Sequence, residues 1–471
     1  MSESFTSDVV IGLEIHVELN TRTKLFCGCS RIPLRENEPP NSRTCPTCLG
    51  MPGAKPVVNK AAIEQGIKLA LALHCSIAPT LIFSRKSYFY PDLSKNYQTS
   101  QFEIPLGSNG HIRLPSGKTV GIVRAHLEED PASLVHKGAY SLVDYNRSGD
   151  PLCEIVTGPD MNSPEEAREL MKELITVLHY LGVFDASTCI IKADANISIK
   201  ESGYVRSEVK NITGFKEIER ALCYEVERQR DAVKRGEQLV QDTRAWDAVK
   251  GVTTRMRTKE TEADYGYIID PDLVPITLSE EFVNSIKDSM PELHFEKVKK
   301  FVEEHSIPEE DARILAQELS LAHLFEEVAQ RIDPKLAVRW LRHELNKVLN
   351  ESEKVWSEVE ADESQIIELL ELVDEKKITD ISAREILAEL IKRPFSPKEY
   401  VKEKGLEVVS DSSALKPLLQ KLIEEHPQAV EDVKSGEPKA INFFVGKVMK
   451  ETKGQASPAQ VNKLLKELLD L

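Results

Sequence analysis

The chain has 471 residues, 41% of them apolar and 29% charged, with a formal net charge of −16. That length allows two to four domains around sizeable cores, and the acidic balance excludes general coating of nucleic acid while leaving room for a local basic patch. No apolar run reaches the roughly 20 residues of a bilayer-spanning helix, and MSESFTSDVV lacks both a basic start and an apolar stretch, so no signal peptide is read and a cytoplasmic protein is expected.

The first predicted strand is VIGLEIHVEL, residues 10–19. From Leu13 it alternates. Leu13, Ile15, Val17 and Leu19 share one face, and Glu14, His16 and Glu18 share the other. Next come FCGCS and TCPTCLG, which space Cys27, Cys29, Cys45 and Cys48 as C-x-C, fifteen residues, C-x-x-C. In a cytosolic chain of this size, clustered cysteines favour a metal over disulfides. Four thiolates close a tetrahedron around Zn²⁺ with no open position, so this zinc would be structural. It would clamp the loop after the first strand. The scattered Cys75, Cys153, Cys189 and Cys223 are expected as buried small hydrophobes.

SRKSYFYPDLSKNYQTSQFEIP brings Arg85, Lys86, Tyr88, Phe89, Tyr90 and Tyr97 together. It reads either as a β-hairpin with a packed aromatic face or as an aromatic-walled site for phosphates or an RNA end. HIRLPSGKTVGIVRAHLEED reads as strand, turn, strand. PSGKTV resembles the tail of a phosphate-binding loop, but Ile112 stands where that loop needs glycine, so it is a hairpin turn. The strand ends in His126, Glu128, Glu129 and Asp130. Glu154 interrupts the apolar run LCEIV, IKADANISIK puts Asp194, Asn196 and Ser198 on one strand face, and SEVKN supplies Glu208, Lys210 and Asn211. A carboxylate inside an apolar strand is costly unless paired or metal-bound. Each of these groups alone is explicable as a salt bridge or a solvated side chain. With Glu14 and His16 they look like the carboxylate-rich Mg²⁺ site of a phosphoryl-transfer enzyme.

SPEEARELMKELITVLHYLG reads as a helix with Ser163 as cap, Pro164 at its first position and Gly182 as stop. CIIKADANISIKE is another strand, and FKEIERALCYEVERQRDAVKRG a second helix ending at Gly236. From Ser279 the pattern turns helical, with Pro308 preceding one helix and a capping box predicted at Ser382-Ala-Arg-Glu385. KRPFSPKEYVKEKGL looks like a junction. The last 65 or so residues form a small helical unit in which Lys447, Lys450 and Lys453 recur at three-residue spacing, either a solvated face or a contact for RNA. No serine-rich amidase signature and no Cys–His pair stands out, so the chain is not expected to hydrolyse glutamine itself.

The blocks VIGLEIHVELNTRTKLFCGCS, NSRTCPTCLGMPGAKPVVN, HLEED, YNRSGDPLCEIV, DANISI, EVKNITGFKEIERALCYEVERQ and NFFVGKVMKETKGQASP, in this order from about residue 8 to the end, resemble the B-subunit family of aspartyl/glutamyl-tRNA amidotransferases. EEDPAS, ADAN and DYGYIIDPDL depart from the family's usual text. The resemblance implies an α+β cradle related to glutamine synthetase and guanido kinases over 1–290, an all-α helical domain over 291–405 and a small helical tail that binds tRNA over 406–471.

It also implies a ligase of the heterotrimeric class. The side-chain carboxylate of mischarged Asp-tRNA(Asn) or Glu-tRNA(Gln) is phosphorylated by ATP. Ammonia, channelled from an amidase partner (the A-subunit) that is tied in by the small C-subunit, then displaces the phosphate. Carried over by position, Glu14, His16, Glu129 and Glu154 match the catalytic and Mg²⁺ set, with Glu128 as neighbour. Asp194 and Glu208 match further metal ligands or ATP-site groups, Asn196 and Lys210 fall with them, and Lys86 and Tyr88 lie near the channel exit. The four cysteines match a zinc clamp, and Glu18 is left as a solvated residue without a role. The alternative is a non-catalytic, zinc-containing tRNA-binding scaffold whose carboxylates are structural.

Overall fold

The alternation of VIGLEIHVEL becomes β1 (Val9–Glu18), the middle strand of a nine-stranded sheet. The computed structural model describes residues 7–258, 265–408, 412–434, 438–452, 456 and 458–469. In chain order β1 is followed by α1 (Lys60–Ala72), β2 (Ser76–Ile77), β3 (Thr80–Leu81), β4 (Ser84–Ser87), β5 (Tyr97–Ser100), β6 (Gly107–Arg113) and β7 (Thr119–Glu129). Then come β8 (Ser133–Lys137), β9 (Tyr140–Asp144), β10 (Pro151–Thr157), α2 (Pro164–Leu181), β11 (Ile191–Ile199), β12 (Ser207–Thr213) and α3 (Phe215–Lys234). The sequence β13 (Asp242–Asp247), β14 (Val252–Thr258), β15 (Ile268–Ile269), β16 (Ile276–Thr277) and α4 (Glu280–Asp288) completes this part.

The sheet order is β14-β13-β12-β11-β1-β10-β7-β6-β2. Neighbours run antiparallel except β12 and β13. Helix α1 packs on β6 and β7, α2 on β1, and α3 on β11 and β12. Leu13, Ile15 and Val17 are buried, as their alternation requires. A small sheet, β15-β4-β5, is separate in its strand pairing and packs through β5 on β7 of the large one. Local signals act as expected at several points. The Ser163 hydroxyl accepts from the Glu166 amide, and Gly182 ends α2 in the left-handed region at φ 65°. PSGKTV closes the β6–β7 hairpin, with the Leu114 amide donating to the Lys118 carbonyl at 2.8 Å.

The chain divides into two compact units, Met1–Leu293 and His294–Leu471. The first is the mixed α/β unit just described. The second is helical, built from α5 (His294–His305), α6 (Glu309–Leu315), α7 (Leu319–Ala329), α8 (Pro334–Val338), a π-helical stretch Arg339–Leu345, α9 (Asn346–Glu351), α10 (Glu363–Asp374), α11 (Asp380–Leu390) and α12 (Pro397–Lys404). Four more helices follow: α13 (Ser412–Glu425), α14 (Pro427–Lys434), α15 (Pro438–Glu451) and α16 (Pro458–Leu468). Leu419, Phe444, Val448 and Leu465 bury together in the core of these last four.

Two sequence readings need correction, and a third gains detail. Ser382 does not cap a helix. Thr379 caps α11 one turn earlier by accepting from the Ser382 amide, and Ser382 is buried inside the helix. KRPFSPKEYVKEKGL, read as a junction, contains α12. Ser396 caps α12, Pro397 takes a first-turn position and Gly405 ends it at φ 61°. Cys75, Cys153 and Cys189 are buried, but Cys223 is exposed, because it falls on the outer face of α3, away from Leu222 and Val226.

Candidate active site

The strand register builds the site. Residues paired across antiparallel strands point to the same face. His16 pairs with Glu154 on one side of β1 and with Lys192 on the other. Glu154 in turn pairs with His126. Glu128, two residues beyond His126, shares that face. His16, Glu128 and Glu154 thereby each offer an atom to a group lying within 4.8 Å of one another. His16 Nε2 is 3.5 Å from Glu128 Oε1 and 3.8 Å from Glu154 Oε2.

Glu14, also on this face, pairs in register with Asp194 and accepts from Asn196 Nδ2 at 2.9 Å. The row continues to β12. Lys210 Nζ lies 2.8 Å from Asp194 Oδ2 and 3.0 Å from Glu208 Oε1, and the Thr243 hydroxyl donates to Glu208 Oε2 at 3.0 Å.

The electrostatics follow from burial opposed by neighbours. Burial alone would raise the Glu154 carboxyl, but the charge and hydrogen bond of His126, aided by His16 and Lys86, hold it well below the usual range. Glu128 is likewise held low against burial by its hydrogen bond to His126. Burial would lower His126, yet Glu154 and Glu128 bring it up to about 9. Burial also opposes the Lys210 charge, and Asp194 and Glu208 more than compensate. Glu154 and Glu128 are thus held in the ionised state a cation needs.

Tyr88 stands near this group. Burial, with the charges of Asp92 and Glu128, raises its phenol above the usual range. Tyr88 meets Tyr265 edge-on, and Lys86 lies over the same Tyr265 ring at 4.8 Å. The packed aromatic hairpin is realised only in part. β4 and β5 pair, but Phe89 is 89% exposed.

Glu129 is not part of this group. One residue past Glu128, it points to the opposite face, where it pairs with Lys95 and accepts from the Thr99 amide at 2.7 Å. It lines a separate cavity with Lys24, Arg85, Lys95, Tyr97 and Asp270. Arg85 makes a two-pronged pair with Asp270, both contacts 3.0 Å. Sequence reasoning missed Lys95, Asp270 and Thr243, and it gave His126 no role. For His126 the signal was its two-residue spacing from Glu128. Glu18 is buried rather than solvated, because its carboxylate accepts from the Ile190 amide at 2.9 Å.

Cys27, Cys29, Cys45 and Cys48 form a second group whose sulfurs lie within 4.8 Å of one another. None is in a disulfide. A tetrahedral Zn–S₄ site has sulfur–sulfur edges of roughly 3.8 Å, so small shifts would fit this set to zinc. A hydrogen bond between Cys27 and Cys48 brings the Cys48 thiol down to about 5 and pushes the Cys27 thiol up. Lys447 and Lys450 sit on α15, with Lys447 Nζ 5.6 Å from the Phe443 ring centre. Lys453 lies outside the described residues. Among the described residues no helix is long and apolar enough to cross a membrane.

Residues 9–284, which hold both clusters, match the family model of the GatB/GatE catalytic domain, and residues 323–469 match the GatB domain. Three relatives bear the name of the B-subunit of aspartyl/glutamyl-tRNA(Asn/Gln) amidotransferase. Those of Thermodesulfovibrio yellowstonii and Carboxydothermus hydrogenoformans are each 42% identical over 98% of this chain, covering 99% and 98% of their own lengths. That of Clostridium tetani is 41% identical over 97% of this chain and 98% of its own. Likeness of this extent, end to end and in both domains, makes the chain a member of the B-subunit family of aspartyl/glutamyl-tRNA amidotransferases.

Proposed function

We propose that the chain catalyses ATP-dependent amidation of Asp-tRNA(Asn), Glu-tRNA(Gln) or both, by phosphorylating the side-chain carboxylate and then forming the amide. Family membership supports the substrate class. The observation that carries the chemistry is the meeting of His16, Glu128 and Glu154 on one half-open sheet face. A carboxylate is a poor electrophile. Transfer of the γ-phosphoryl group to one of its oxygens breaks the bond to ADP and makes an acyl phosphate. Ammonia then attacks the acyl carbon, phosphate leaves with the oxygen, and nitrogen sheds a proton.

His16, Glu128 and Glu154 are the residues that would hold Mg²⁺, with Glu14 beside them and Glu128 taking the role expected for Glu129. The oxygen-rich donors and their ionised state suit that ion. Bound there, it would neutralise charge on ATP and the substrate carboxylate. Asp194, Asn196, Glu208 and Lys210 form the ATP side of the row, with Lys210 as the cation for phosphate oxygens. Lys86 and Tyr88 border the point where ammonia enters. The four cysteines hold structural Zn²⁺.

The cradle, 1–290, is related to glutamine synthetase and guanido kinase folds. A helical domain spans 291–405. The tail, 406–471, contacts tRNA through Lys447 and Lys450. In the cytoplasm the chain works in a heterotrimer with an amidase partner, which releases ammonia from glutamine, and a small third partner.

The test uses the reconstituted complex with mischarged tRNA and ATP radiolabelled at the γ-position, with no amide donor. Label should accumulate on the aminoacyl-tRNA and leave as phosphate when ammonia is added. Amide formation with no labelled tRNA at any time would overturn the reading.

A further inference from the structure

We propose that His126 is a positioning residue, which fixes the carboxylates of its neighbours Glu154 and Glu128 so that a divalent cation meets them in one arrangement. This rests on the reading of the face as a cation site. The side chain of His126 is 4% exposed, against 28% for His16. A cation arriving from solvent therefore meets His16 before His126 and Glu128, whose side chains are each 4% exposed.

The two imidazoles divide the oxygens of Glu128 and share one oxygen of Glu154. Glu128 Oε1 lies 3.5 Å from His16 Nε2, and Glu128 Oε2 lies 3.8 Å from His126 Nε2. Glu154 Oε2 is 3.3 Å from His126 Nε2 and 3.8 Å from His16 Nε2. Ser100 adds a hydroxyl donor to Glu128 Oε2 at 3.3 Å.

Ionised carboxylates only accept hydrogen bonds, so His126 must present N–H at Nε2. Its Nδ1 is buried and has no hydrogen-bond partner among the described residues. The ring is thus oriented by the carboxylates it faces. Histidines and other groups one step removed from a metal commonly fix ligand orientation in this way, and their loss weakens metal binding.

The test measures Mn²⁺ affinity of the full-length chain by electron paramagnetic resonance, a readout independent of turnover. His126→Leu removes the donor and should weaken Mn²⁺ binding about 10- to 100-fold, while His126→Gln, whose amide nitrogen reaches the place of Nε2, should stay within about threefold of the parent. Circular dichroism and the melting temperature without metal check that each variant is folded. Unchanged affinity in folded His126→Leu, or an equal loss in His126→Gln, overturns the proposal. Should His126→Leu not fold, His126→Asn replaces it. Its shorter amide falls at the position of Nδ1, so a loss there with retention in His126→Gln supports the proposal, and equal behaviour of the two overturns it. His16→Ala and Glu154→Gln serve as controls. If both bind Mn²⁺ like the parent, the cation-site reading fails whatever His126 does. If they lose binding while His126→Leu keeps it, only the positioning role fails.

Discussion

Glu128→Gln removes one negative charge from the open-face cluster, where His16 and His126 each reach one of its oxygens. Amide formation should fall by about 100-fold, the scale of losing one electrostatic contact at a transition state. Glu129→Gln should behave differently. It breaks the pair with Lys95 but keeps an acceptor for the Thr99 amide. Urea unfolding should register a loss on the order of 1–3 kcal/mol, with turnover far less affected than in Glu128→Gln. Equal turnover losses in the two variants would count against the division of faces.

Asp150 makes a second residue-level case. Burial, together with the charges of Asp130 and Glu18 and against those of Lys24 and Arg43, pushes its carboxyl up to about 8. The unfolded chain releases that proton near pH 4. Stability from this group is therefore complete below about pH 4 and is lost as pH rises through about 8. Asp150→Asn cannot ionise. Its stability relative to the parent should climb across that window by at least ~1 kcal/mol, measured as urea midpoints from pH 5 to 9. Parallel curves for the two proteins would contradict the shift.

Elements were legible where short-range physics decides them. The period-two pattern of β1, the Ser163 cap and Gly182 stop of α2, and the hairpin at PSGKTV all depend on neighbours within a few residues. Spacing alone drew the four cysteines together. What failed depended on register or on competition. Glu128 and Glu129 are interchangeable in a string of letters, and only the pairing of β7 with β10 separates them. Lys95 and Asp270 meet across a gap of 175 residues of chain in lining one cavity, which no local pattern encodes. Ser382 was outcompeted by Thr379 one turn upstream.

The cysteine loop carries a prediction at this scale. A β-carbon at Gly50 would strike the Lys95 side chain, so the loop packs directly on the cation that holds Glu129. Cys45→Ser should drop zinc, measured by elemental analysis, from stoichiometric to near none. Limited proteolysis should then cut the 27–54 segment first, while the sheet retains its melting transition. Retained zinc, or loss of the whole fold at once, would contradict a clamp confined to the loop.

At the scale of the molecule, a sheet-rich unit carries both candidate metal clusters, and a helical unit follows it. The last four helices close over their own core. A net charge of −16 repels polyanions at large, so the proposed tRNA contact would have to be concentrated on a few lysines such as Lys447 and Lys450 of α15. The opposed facing of Glu128 and Glu129 also limits how such a chain can change in length. Residues added at Pro115–Gly117 only enlarge an exposed turn. One residue inserted within β7 ahead of His126, unless absorbed as a bulge, would rotate the strand's end by half a period. It would put Glu128 in the cavity of Lys95 and turn His126 away from Glu154. Lineages carrying this site should accumulate insertions and deletions in the hairpin turn and almost none between Val120 and Glu129.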